Sequence, residues 1–166
     1  MKRGTTGQAS IHVDAPPERV YDLVTDVTRM GEWSPETVSC TWLDGAGGPA
    51  LGARFKGVNR RGVFRWSTKP RVVALEPGRE FAFTTEFAGL ELVRWTYRFD
   101  PDGDGTRVTE SFEMVRDEPI VVDLAMRWLM RIKDRKADLE SAMHTTLTRI
   151  KAAAERTTAE GSTADG

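Results

Sequence analysis

The feature that most constrains this chain is a change of hydrophobic period near residue 119. From Glu36 to Val115 apolar and polar side chains alternate, the period of half-buried strands, with turn chemistry between the runs. Val38, Cys40 and Trp42 lead to the turn Asp44-Gly45-Ala46-Gly47-Gly48-Pro49. Phe55, Gly57 and Asn59 share the next phase, then Phe64, Trp66 and Thr68 after the turn at Arg61-Gly62. Pro70 predicts a bulge or kink before Val72 to Leu75, because proline cannot donate to a ladder. Phe81, Phe83 and Thr85 follow Pro77-Gly78, and Val93, Trp95, Tyr97 and Phe99 form another face. Asp102-Gly103-Asp104-Gly105 is a hairpin signal leading into Val108, Glu110, Phe112 and Met114. Beyond Pro119 the spacing becomes helical: Val121, Leu124, Ala125, Trp128, Leu129 and Ile132, then Leu139, Met143, Leu147, Ile150 and Ala154. Residues 119–138 fit either a lid or the first part of one long helix, whose main body is placed near Lys136 to Arg156.

Ahead of these runs, Ile11 and Val13 mark a strand that ends at Asp14-Ala15-Pro16-Pro17, with Asp14 a candidate helix cap. Val20, Leu23, Val24 and Val27 give a short amphipathic helix, and Met30 to Pro35 a second turn of helix around Trp33. The order is strand, two short helices, six antiparallel strands and a long helix, an α+β arrangement whose curved sheet needs that helix as its cover. Residues 9–156 form one domain, residues 1–8 read as a flexible N-terminus and residues 157–166 as a disordered tail.

Composition narrows the function. Twenty-four Lys+Arg against 25 Asp+Glu leave a net charge of −1, so no overall basic field favours nucleic acid. A single cysteine, Cys40, allows no internal disulfide and reads as an inert buried thiol. The two histidines, His12 and His144, lie apart without carboxylates at ligand spacing, so no metal or other cofactor is expected. No apolar run spans a membrane and no leader pattern opens the chain, which predicts a cytoplasmic protein without a transmembrane segment. Nucleophile-elbow, zinc-protease and phosphate-loop motifs are lacking, and the pattern leaves oligomeric state open.

The inner face of the sheet is rich in rings, with Asn59, Thr68, Thr85 and Glu110 mixed among them. Such a face suits either an ordinary aromatic core or a ligand cavity with a few convergent polar groups. On the cavity reading Phe55, Phe64, Trp66, Thr68, Phe81, Phe83, Thr85, Trp95, Phe99, Phe112 and Met114 line it from the sheet. Trp128, Leu139, Met143 and Leu147 line it from the helical region. Glu110 is in phase with Val108 and Phe112, so desolvation would raise its pKa and make it a candidate general acid or base. The plain alternative is an arginine partner or an outward turn. Tyr97 and Asn59 are candidates to polarise a carbonyl. Arg127, Arg131 and Arg135 recur every fourth residue beside an apolar stripe. That pattern fits a cover over the cavity mouth, and also a basic amphipathic helix lying on anionic lipid.

The run Ile11-His12-Val13-Asp14-Ala15-Pro16-Pro17-Glu18-Arg19-Val20-Tyr21-Asp22-Leu23-Val24-Thr25-Asp26, followed by Glu32-Trp33-Ser34-Pro35, resembles the opening of the SRPBCC (START/Bet v 1-like) superfamily. Its polyketide cyclase/dehydrase and lipid-transport type is the nearest in pattern. Trp66, Pro77-Gly78-Arg79-Glu80-Phe81, Trp95-Thr96-Tyr97, Gly105-Thr106-Arg107-Val108-Thr109-Glu110 and Leu147-Thr148-Arg149-Ile150-Lys151 extend the likeness over residues 9–156. The resemblance implies a helix-grip fold, a seven-stranded sheet around a C-terminal helix with an apolar cavity between them. It also implies three kinds of function: a binder of a lipid-like or polyketide-like hydrophobic molecule, a polyketide cyclase, aromatase or dehydratase, and a co-chaperone-like interaction module.

Overall fold

The computed structural model describes residues 1–128 and 134–162, with side chains given for all of these except 125–127 and 157–162. Strand β1 (Thr6–Val13) leads into helix α1 (Pro17–Thr25), a 3₁₀ turn (Val27–Arg29) and the single turn α2 (Met30–Trp33). Seven strands follow: β2 (Thr37–Trp42), β3 (Phe55–Arg61), β4 (Phe64–Thr68), β5 (Arg71–Glu76), β6 (Glu80–Phe87), β7 (Leu90–Asp102) and β8 (Gly105–Met114). Helices α3 (Ile120–Trp128) and α4 (Arg135–Ser162) close the order. This is the α+β helix-grip architecture, with one strand of the seven-stranded pattern divided in two at Lys69-Pro70.

Five strands pair in the order β1-β8-β7-β6-β5 and three in the order β2-β3-β4, all antiparallel. The two sheets are joined where the chain entering β3 runs beside the start of β5. There Phe55 N donates to Pro70 O at 3.1 Å and Val72 N to Ala53 O at 2.9 Å. Bulges at Thr37/Ser39, Val72/Ala74 and Thr85/Glu86 add the local bend that a sheet needs to wrap a helix. The turn after β7 relies on Gly103 at φ +62°, a left-handed conformation that costs glycine nothing.

The core lies between the concave face and α4. Leu139, Met143, Leu147, Ile150 and Ala154 recur at helical spacing and are all buried. They pack against β1, and α1 and α2 flank the same helix. Trp33, the largest fully buried side chain, is held in that corner.

Several expectations are corrected. The first eight residues are not loose: β1 begins at Thr6, and Gly4 N and Met114 N bond to Met114 O and Thr5 O, extending the β1–β8 ladder. Apolar periodicity misses this because the ladder uses backbone groups, which every residue carries. Helix α4 runs to Ser162 rather than stopping near Arg156; residues 163–166 of the tail lie outside the described residues. Asp14 does not cap α1. Its carboxylate takes a bond from His12 Nε2 at 2.9 Å, while Pro16 is the N-cap and Pro17 opens the helix. Of the two readings left open for residues 119–138, the structure gives the separate segment: α3 is its own element and Asp134 is not helical.

Candidate functional site

The alternation of β8 buries Val108, Glu110, Phe112 and Met114 on the concave face. Register places Glu110 opposite Tyr97 on β7 and Ala9 on β1. Tyr97 Oη donates to Glu110 Oε1 at 2.7 Å, and both side chains are buried. Glu110 Oε2 is also sealed from solvent and has no hydrogen-bond partner among the described residues. Among the described residues no arginine is hydrogen-bonded or ion-paired with either side chain.

Burial disfavours the charged carboxylate and pushes the Glu110 carboxyl up to about 8, against the smaller opposing effect of the Tyr97 bond. Burial, with the neighbouring carboxyl, holds Tyr97 well above its ordinary 10. A value of about 8 leaves the carboxyl mostly protonated at neutral pH. With Oε1 engaged by Tyr97, Oε2 is the oxygen left without a partner among the described residues.

The pair ends a continuous line of rings. Trp42 meets Phe55 edge-on at 5.7 Å, Phe55 meets Phe83 at 5.4 Å, Phe83 meets Phe81 at 5.7 Å, and Phe81 stacks on Tyr97 at 6.5 Å. Phe99 packs instead on Tyr21 of α1, at 5.6 Å. Among the sheet residues proposed as lining, Phe55, Phe81, Phe83, Phe99, Phe112 and Met114 are buried. Phe64, Trp66, Thr68, Thr85 and Trp95 are half-buried, and Trp95 packs on Phe112 at 5.7 Å. From α4, Leu139, Met143 and Leu147 are buried against this interior.

Asn59 is on the three-stranded sheet, where its Oδ1 accepts from Thr37 Oγ1 at 3.0 Å. Trp128 does not reach the interior: it is 81% exposed on α3. Cys40 is buried, and burial pushes its thiol up to about 12.

The reading of the sequence missed one hollow. A cleft of about 660 Å³ opens between α4, the chain from Gly31 to Val38 and the β3–β4 hairpin. Asp138, Ser141, Ala142, Thr145 and Arg149 line it from one stripe of α4, distinct from the helix's apolar face. Its end is closed by Arg61, which binds Asp138 through both terminal nitrogens, with the longer at 2.7 Å, and Glu36 at 2.9 Å. Arg135 joins the cluster through Asp138 at 3.1 Å. The guanidinium holds the Asp138 carboxyl below the usual carboxylate range. The signal for this cluster lies in charge identity alone, and pairing Arg61 with Asp138 across 77 positions requires the fold.

The polyketide cyclase / dehydrase and lipid transport family model matches residues 5–155. The chain belongs to this family. A polyketide-cyclase-like protein of Corynebacterium glutamicum is 33% identical, over 93% of this chain and 94% of that one, with a TM-score of 0.62. Two further structures share the fold at low identity. A protein of Nitrosomonas europaea is 12% identical over 93% of this chain and 96% of its own, with a TM-score of 0.67. Ginseng major latex-like protein 151 from Panax ginseng is 16% identical over 90% and 97%, with a TM-score of 0.64. No curated protein matches the chain. Membership in the polyketide cyclase / dehydrase and lipid transport family associates the protein with hydrophobic ligands or cyclase-type chemistry, and no described helix is long and apolar enough to cross a membrane.

Proposed function

We propose that this member of the polyketide cyclase / dehydrase and lipid transport family binds a hydrophobic, lipid-like or polyketide-like molecule between the concave sheet and α4. The ligand lies along the ring-lined face and presents a carbonyl or ether oxygen to the Glu110 carboxyl. The observation that carries this reading is the unpartnered Oε2 at the end of an aromatic wall. A buried donor left unpaired costs about 1–3 kcal/mol, and a ligand oxygen recovers that loss. Half-buried Trp66 and Trp95 supply further apolar surface on the same face. The polar cleft beside α4 suits this ligand poorly, because hydroxyls and charges line most of it.

The test is displacement of an environment-sensitive dye by fatty acids, sterols and aromatic polyketides. Saturable displacement by at least one class is expected, with ketone-bearing members favoured over hydrocarbons of equal size. Failure of every class overturns the reading.

A second reading is a polyketide cyclase, aromatase or dehydratase. Favouring it is the Glu110 value of about 8, close enough to neutrality for proton transfer in either direction. Tyr97 would hold the carboxyl in place while the wall folds a flexible chain into reactive geometry. Glu110→Gln is then expected to abolish turnover of a linear poly-β-ketone while ligand binding persists. Equal turnover in the variant rejects the acid/base assignment and leaves the binding reading standing.

A further inference from the structure

The cleft beside α4 has walls that are fixed before anything enters it. Arg61 clamps the β3–β4 hairpin to Asp138 of the helix and to Glu36. Thr37 N donates to Ser34 Oγ at 3.1 Å and Arg60 N to Glu36 O at 2.8 Å, which pins the chain entering β2 to β3. Gly31 lies so close to β2 that a Cβ there would sit 2.6 Å from Val38 O. Along α4 the lining runs from Asp138 to Arg149, a wall of about 16 Å at the helical rise. The volume of about 660 Å³ is that of a small-molecule site.

The polar groups of this cleft are unevenly engaged. Both carboxylates that line it, Glu36 and Asp138, accept from Arg61, and Arg135 adds a further bond to Asp138. The other two lining arginines, Arg60 and Arg149, have no ion pair among the described residues. Arg149 Nη1 donates to Trp33 O at 3.4 Å, and Arg60 holds Glu36 O through its backbone. Both arginines therefore stand against one four-residue segment, Trp33 to Glu36. The hydroxyls divide between two roles. Those of Thr37 and Thr145 donate to Asn59 Oδ1 and Ser141 O, leaving their oxygens to accept. Ser34 Oγ accepts from Thr37 N and keeps its hydrogen to give. A cation would find the carboxylates already taken, and a hydrocarbon would desolvate guanidiniums and hydroxyls without replacing their water. An oxyanion meets two planar guanidinium forks, and a hydroxylated body meets donors and acceptors together.

We propose that this cleft binds a hydroxylated organic oxyanion, a sugar phosphate or sugar acid. Arg60 and Arg149 hold the anionic group, and Ser34, Thr37, Ser141 and Thr145 surround the hydroxyls. The site is separate from the ring-lined interior, and its occupancy is independent of what that interior binds. Both arginines are exposed, so the attraction weakens as salt is raised.

The experiment is calorimetric titration of the full chain with glucose 6-phosphate, gluconate, glucose and inorganic phosphate. Saturable binding of glucose 6-phosphate, gluconate or both is expected, at least about tenfold tighter than glucose or inorganic phosphate. A preference for glucose 6-phosphate identifies the anionic group as a phosphate, and a preference for gluconate identifies it as a carboxylate. Arg60→Ala combined with Arg149→Ala is expected to weaken binding by more than about tenfold while thermal unfolding is unchanged, because both side chains are exposed and outside any ion pair of the described residues. Ser141→Trp, at an exposed position of the α4 wall, should fill the cleft and block binding with both arginines in place. The proposal is overturned by failure of both organic anions to bind, by glucose or inorganic phosphate binding as tightly as they do, or by binding that either variant retains.

Discussion

A carboxyl sealed in an aromatic interior changes its chemistry more than its position. Glu110 is protonated when folded, at an upward-shifted value of about 8, whereas in the unfolded chain it titrates near its ordinary 4.5. Between those values the folded state holds the extra proton, so unfolding releases it. This contribution to stability is full below about pH 4.5 and is lost as pH rises through about 8. The melting temperature should therefore decline across that window. In Glu110→Gln, which keeps an acceptor for Tyr97 and a donor in place of the acid, the decline attributable to this residue should vanish. An unchanged slope in the variant would place the titration elsewhere. Glu110→Leu removes the acceptor of Tyr97 Oη and should cost about 1–3 kcal/mol in a denaturant melt unless a ligand is present.

At the scale of elements, α4 serves two surfaces. Its apolar stripe fills the grip of the sheet, and Leu147→Ala there should cost about 3 kcal/mol, read from the denaturation midpoint. Its polar stripe is tied to the β3–β4 hairpin by the Arg61 cluster. These groups are partly exposed, so Arg61→Ala should cost only about 1 kcal/mol, and the loss should shrink as pH falls through the depressed titration of Asp138. The turn joining β7 to β8 is less forgiving. A Cβ at Gly105 would sit 2.3 Å from Val13 O, a backbone atom that cannot yield without shifting β1. Gly105→Ala should cost about 1–3 kcal/mol, more than the same change at Gly47, which has open space around it.

Over the whole molecule, packing is uneven. The end of the interior bounded by α1, α4 and β8 is dense, with Val20, Phe81, Val108 and Ile150 fully buried. Phe64, Trp66 and Trp95 are only half-buried, and the large apolar side chains of α3 are exposed. Local opening free energy follows buried contact, so amide exchange should be fastest in α3 and slowest in β7, β8 and the middle of α4. Protection of α3 equal to that of α4 would show that α3 is packed in solution.

Local pattern determined a large part of this protein. The strand period from Val38 to Met114, the helical period of Leu139 to Ala154 and the glycine- and proline-marked turns are properties of neighbouring residues, and they specify an antiparallel sheet covered by a helix. The same period placed Glu110 on the inner face, because a strand alternates its side chains whatever surrounds it. Tertiary structure decided the rest. The Tyr97–Glu110 bond depends on register, the Arg61–Asp138 clamp on two remote segments meeting, and the early start of β1 on backbone groups that leave no mark on composition. Whether Trp128 roofs the sheet or faces outward turns on how α3 leaves β8. Its period is the same in both cases, and only the arrangement in space tells a covered apolar face from an open one.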